Sequence, residues 1–68
     1  MRVIEKNQSE EIRVQWGEYK GYCYLDIRLF AELPNSDERT PTKKGITLKP
    51  EQVPELIEAL QSMIAEGG

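Results

Sequence analysis

Glu11-Ile12-Arg13-Val14-Gln15-Trp16-Gly17-Glu18-Tyr19-Lys20-Gly21-Tyr22-Cys23-Tyr24-Leu25-Asp26-Ile27-Arg28-Leu29-Phe30 is the stretch that decides how this chain folds. Within it, Ile12, Val14 and Trp16 alternate with Arg13 and Gln15, while Cys23, Leu25, Ile27 and Leu29 alternate with Tyr22, Tyr24, Asp26, Arg28 and Phe30. A period of two belongs to strands with one buried face, and two such runs in succession predict a hairpin. If the turn is centred on Tyr19-Lys20, Trp16 falls opposite Cys23, Val14 opposite Leu25 and Ile12 opposite Ile27. One face is then wholly apolar. The other pairs Arg13 with Asp26 and Glu11 with Arg28. A slip of one residue would exchange the faces, so the agreement of apolar and charged partners supports this register.

Working outward, Arg2 to Lys6 reads as a short first strand, set off from the hairpin by the polar Asn7-Gln8-Ser9-Glu10. On the other side, Pro34-Asn35-Ser36-Asp37 reads as a surface loop. Thr40 to Leu48 forms the last strand, with Ile46 and Leu48 on its buried face. A bend is expected near Gly45, where a missing side chain permits a bulge or the close approach of another backbone. Beyond it Val53, Leu56, Ile57, Leu60, Met63 and Ile64 recur at helical spacing, with Glu51, Glu55, Glu58 and Gln61 elsewhere around the wheel. Pro50 suits a first helical turn, Pro54 loosens it by lacking an amide, and Gly67-Gly68 ends the helix. The expected fold is α+β: four antiparallel strands and one C-terminal amphipathic helix, ββββα, in a single domain over residues 1–68.

Composition narrows the function. A chain of 68 residues buries too small a share of its apolar surface to be comfortably stable alone. A second copy is the expected remedy, docking on the helix stripe Val53, Leu56, Ile57, Leu60, Met63 and Ile64, a stripe that would otherwise cover the sheet. With no histidine and one cysteine, Cys23, the chain offers neither an internal disulfide nor a cysteine/histidine zinc site. No metal or cofactor is expected. There is no apolar run of roughly twenty residues to cross a bilayer, and the start Met1-Arg2-Val3-Ile4-Glu5-Lys6 lacks the core of a signal peptide. An intracellular protein without membrane contact is expected. Catalysis is disfavoured by the absence of a histidine base, a glycine-rich phosphate loop or a carboxylate cluster of metal-binding spacing.

Charge is unevenly placed. The formal net charge is −3, yet residues 1–11 carry −1, residues 12–49 carry +2 and residues 50–68 carry −4. From Arg39 to Lys49 there are four basic residues and no acidic one. A local cationic surface attracts a polyanion even on an acidic molecule. The competing role is a strand edge kept soluble by its lysines.

The order of strands, bent basic strand and helix resembles the transcriptional coactivator family typified by positive cofactor four. The resemblance runs from Ile12 to Ile64 and rests on Tyr19-Lys20-Gly21, Leu25-Asp26-Ile27-Arg28, Pro41-Thr42-Lys43-Lys44-Gly45-Ile46-Thr47-Leu48 and Pro50-Glu51-Gln52. The short length, without a serine-rich basic amino-terminal arm, is similar to the compact bacterial members. The resemblance implies a homodimer that binds single-stranded or melted DNA, with RNA and proteins of the transcription machinery as further partners. It places DNA contacts at Tyr19, Lys20, Arg28, Pro41, Lys43, Lys44 and Gly45. Location would be cytoplasmic with the nucleoid in a bacterium, nuclear in a eukaryote.

Departures from the family pattern bear on affinity. Where eukaryotic members carry a tryptophan three residues after the arginine, this chain has Ala31, so Phe30, Tyr22 or Tyr24 would have to replace a stacking platform worth about 1–3 kcal/mol. Alternation puts Trp16 in the core and makes Cys23 an inert small hydrophobe. For Arg28, pairing with Glu11 or Asp26 competes with DNA contact. Lys6 and Glu58 are expected away from the groove. The rival function is a protein-interaction module using the acidic helix and a sheet edge without nucleic acid.

Overall fold

The computed structural model describes residues 1–67. Strands β1 (Arg2–Glu5), β2 (Glu10–Tyr19), β3 (Tyr22–Glu32) and β4 (Arg39–Leu48) form one antiparallel sheet in the order β1-β2-β3-β4. A 3₁₀ turn over Pro50–Gln52 leads into helix α1, Val53–Ala65. This is the expected ββββα architecture.

The hairpin turn lies one residue later than the sequence suggests. Tyr19 pairs with Tyr22, leaving Lys20 and Gly21 as the two turn residues, at φ 52° and 82°. Both central residues of this tight turn need positive φ to match the twist of the strands, and glycine meets that need without steric cost. Gly21 therefore fixes the turn. Trp16 consequently faces Leu25, Val14 faces Ile27 and Ile12 faces Leu29. A shift of two positions keeps every side chain on its expected face, so the apolar face survives. The charge pairs do not: Arg13 stands opposite Arg28, and Glu11 opposite Phe30.

Like charges directly opposite repel, and each arginine turns to a partner on its own strand. Arg13 Nε donates to Glu11 Oε2 at 2.6 Å, with its guanidinium 4.0 Å from the centroid of Phe30. Arg28 donates through Nε and Nη2 to the Asp26 carboxylate at 3.3 and 3.1 Å.

β1 joins through Arg2 opposite Val14 and Ile4 opposite Ile12. On the far side, Leu25 and Ile27 meet Leu48 and Ile46, but the β3–β4 register then breaks. Arg28 pairs with Gly45 and Phe30 with Pro41, so Thr42, Lys43 and Lys44 together stand opposite Leu29. β4 holds two extra residues there. Gly45 abuts β3 so closely that a Cβ would lie 2.7 Å from the Ile27 carbonyl oxygen. The expected bend near Gly45 is thus a bulge followed by a close approach.

Arg39, at the start of β4, reaches across the sheet. Its Nη1 donates to both Glu5 oxygens at 3.1 Å and to Glu11 Oε1 at 2.7 Å, and its Nη2 to the Gln8 carbonyl at 2.9 Å. One side chain ties β4 to β2 and β1. Hydrogen bonds from Arg13 and then Arg39 hold the Glu11 carboxyl below its usual range, and Glu11 in turn raises Arg39 further.

Burial is shallow. Leu25 and Leu29 on the apolar face, and Phe30 and Glu11 on the other, are the buried residues. Trp16 shares the apolar face as expected but is 60 % exposed, which corrects its placement in the core. Cys23 is likewise exposed. The physical reason is that, among the described residues, little covers this face beyond Leu25 and Leu29: Val53 and Leu56 are half-buried, whereas Ile57, Leu60, Met63 and Ile64 are all exposed. The helix leads away from the sheet without lying on it.

Pro50 opens the 3₁₀ turn, where Gln52 Oε1 accepts from the Lys49 amide at 3.0 Å. Pro54 falls in the first turn of α1, where a missing amide is cheapest. Gly67, at φ 105°, follows the helix end; the expectation for Gly68 lies outside the described residues. No helix among the described residues is long and apolar enough to cross a membrane.

Candidate nucleic-acid interface

The expected contact residues divide into two clusters, one at the β2–β3 hairpin tip and one along β3 and β4 at the bulge. The first surrounds the hairpin tip. Tyr19, Tyr22 and Tyr24 line an open cleft of about 600 Å³ with Thr47, Lys49 and Glu51. Tyr19 and Tyr22 are 66 % and 78 % exposed, leaving their rings free to meet a flat ligand. Tyr24 instead lies against Gly17, its cross-strand partner, where a Cβ would collide with the ring. Lys20 stands at the tip with its Nζ 5.4 Å from the Tyr19 centroid. A cation and a π face are presented together.

The second cluster is the bulge. Arg28, Lys44 and Gly45 share a shallower cleft with Lys6, Ile12, Ile27, Leu29 and Ile46. Lys6, expected away from the groove, therefore lies beside Lys44, while also pairing with Glu10 at 3.8 Å. Asn7 first, and then Lys6 and Lys44, hold the Glu10 carboxyl below its usual range, against the opposing cost of burial. Lys43 and Pro41 are exposed on the same strand. Lys20, Lys43, Lys44 and Lys49 form no ion pair among the described residues. Six residue steps along β3 lead from Tyr22 to Arg28, a rise of about 20 Å.

Two expected contacts change character. Phe30 is 7 % exposed and lies under Arg13, so it supports the sheet and presents no stacking face. Arg28 is held by Asp26 and by the Thr42 carbonyl, to which its Nη1 donates at 2.9 Å. Arg39 leaves the basic block altogether, its charge absorbed by Glu5 and Glu11.

Lys49, Thr47 and Thr42 are additions that sequence reasoning missed. The signal for Lys49 was present in the basic block itself. Thr42 left none, because hydrogen bonding at a bulge has no periodicity. β4 is also a sheet edge, so the geometry that edge-guarding lysines require is met as well.

The family profile described as Transcriptional Coactivator p15 (PC4) matches residues 6–59. The chain belongs to the PC4 family. No individually curated protein matches it. Among solved structures, a PC4 homolog from Burkholderia pseudomallei K96243 in its tetragonal crystal form is 27 % identical, with TM-score 0.85 over 93 % of this chain and 91 % of that one. Its orthorhombic form gives 26 % and 0.86 over 100 % and 89 %. A bacteriophage T5 homolog of the eukaryotic coactivator PC4, described as implicated in recombination-dependent DNA replication, is 25 % identical, with TM-score 0.79 over 96 % and 75 %. The PC4 match covers both clusters and the first part of α1.

Proposed function

We propose that the chain is a largely sequence-independent single-stranded DNA-binding protein, which holds unpaired DNA across the tyrosine cleft and the basic bulge. The observation that carries this is the exposed pair Tyr19 and Tyr22, flanked by Lys20 and Lys49, in a chain of the PC4 family. Exposed rings stack on any unpaired base, and lysines neutralise phosphates and release counterions. Duplex DNA keeps its bases stacked away from such rings. Tyr19, Lys20, Tyr22, Lys43 and Lys44 make the contacts, with Pro41, Gly45 and Arg28 shaping the strand beneath them.

The whole chain acts as one such domain and works as a homodimer. The stripe from Val53 to Ile64 and the Trp16 end of the bare sheet face are covered by a second copy, which leaves the cleft beside the bulge open. Transcription or genome maintenance is its setting, the latter in keeping with what is described for the phage homolog. That places it with the nucleoid in a bacterium, or in the nucleus of a eukaryote.

Fluorescence anisotropy against single-stranded DNA, duplex DNA and RNA of matched length tests the proposal. Tightest binding to single-stranded DNA is expected, and equal affinity for perfect duplex overturns it. Replacing both Lys43 and Lys44 with alanine is expected to lower the slope of log affinity against log salt by about 1.4, twice the single-strand value per contact. The bare helix favours a second reading, a protein-interaction module, whose apolar interface would respond little to salt.

A further inference from the structure

Where β4 widens, the ladder hydrogen bonds that Thr42, Lys43 and Lys44 would make to β3 are interrupted. A bulge of this size leaves backbone groups to be satisfied by other means. Thr42 and Arg28 satisfy three of them. Thr42 Oγ1 donates to the Leu29 carbonyl at 2.8 Å and accepts from the Lys44 amide at 3.1 Å. Its own carbonyl accepts from Arg28 Nη1 at 2.9 Å. A hydroxyl carries one donor and spare acceptor capacity, so one side chain both anchors the bulge to β3 and fixes the amide of Lys44. Alanine or valine at this position would leave the Lys44 amide and the Leu29 carbonyl without their partner. Immediately beyond, the contact of Gly45 with Ile27 closes the strand again, so the bulge is pinned at both ends.

We infer that Thr42 is a positioning residue for anion binding, its hydroxyl setting the place from which Lys44 meets a phosphate. The inference rests on the single-strand reading above and adds to it a residue that touches no ligand itself. Arg28 shares the task. With its guanidinium spent on Asp26 and the Thr42 carbonyl, it orders the bulge from beneath.

The test is a double-mutant cycle between Thr42 and Lys44, read by anisotropy on a single-stranded oligothymidylate probe. Thr42→Val keeps the shape and removes the hydroxyl; it is expected to weaken binding about fivefold, the worth of the ordinary hydrogen bond that holds the Lys44 amide. Thr42→Ser is expected to restore it. In a Lys44→Ala background Thr42→Val should cost nothing further, because the group it positions is gone. Amide exchange at Lys44 is expected to be faster in Thr42→Val than in wild type or Thr42→Ser, and Thr42→Ala serves in the same cycle if the valine variant does not fold. Equal losses in both backgrounds would mean that Thr42 only stabilises the sheet, and wild-type affinity in Thr42→Val would dismiss its role outright. A wild type that ignores the probe instead removes the single-strand reading, and this inference with it.

Discussion

At the scale of single residues, Gly45 and Gly17 separate two kinds of crowding. A Cβ at Gly45 would meet the Ile27 carbonyl oxygen and the Arg28 Cα, backbone atoms that cannot step aside. At Gly17 the obstacle is the far end of the Tyr24 ring, which can swing away. Gly45→Ala is therefore expected to lower stability by about 1–3 kcal/mol, the usual cost of overpacking, and Gly17→Ala by less, as read from urea unfolding. Glu11 supplies a pH dependence. Its folded carboxyl is held below the ordinary value of 4.5 by Arg13 and Arg39, so between those two values the unfolded chain binds more protons and stability rises with pH. That contribution is complete above about pH 4.5 and is lost as pH falls through the lowered value. Thermal melts from pH 7 to 3 are expected to show this loss in wild type and a shallower one in Glu11→Gln. The need for glycine at position 45 was legible in the sequence, because a glycine inside a strand has few other meanings. The burial of Phe30 was not: its alternation gives its face, and only the structure shows Arg13 lying over it.

At the scale of elements, the β2–β3 hairpin shows what pattern alone decides. Period two assigns Ile12, Val14 and Trp16 to one face in any register of the right parity, and the structure agrees. Choosing among those registers needs turn chemistry, and Gly21 outweighs the charge pairing that favoured a turn one residue earlier. Opposite-charge pairs across strands contribute roughly 0.2–1 kcal/mol, and Arg13 and Arg28 recover equivalent partners at Glu11 and Asp26. Lys20 bears the remaining strain, being a non-glycine residue at φ 52°. Lys20→Gly relieves a left-handed penalty of about 1–2 kcal/mol against an entropy cost of roughly 0.5–1 kcal/mol, so stability is expected to rise slightly. The same variant is expected to bind single strands more weakly, with a salt slope smaller by about 0.7. Opposite movements of stability and affinity would mark Lys20 as kept for its charge. The width of the β4 bulge was beyond the sequence, since neither periodicity nor composition counts the residues opposite Leu29.

At the scale of the whole molecule, one sheet and one helix stand without a covering layer. Alternation foretold which way Trp16 points but not whether anything waits there, because burial depends on a second surface that the period of a strand does not report. Leu60→Asp together with Ile64→Asp puts charge on the exposed helix stripe. Light scattering is expected to give twice 7.8 kDa for wild type and a monomer for this variant; a wild-type monomer at micromolar concentration would remove the dimer from the proposed function. The strand order has a kinetic consequence. Each strand pairs with its neighbour in sequence, so no long loop must close before the sheet begins to form, and chains with such local pairing fold quickly. In the proposed dimer, the bare face and helix meet the second copy in a separate encounter. Refolding is expected to show a fast phase whose rate ignores protein concentration and a slower one that scales with it, so that the order in which this protein is built can be read from a dilution series.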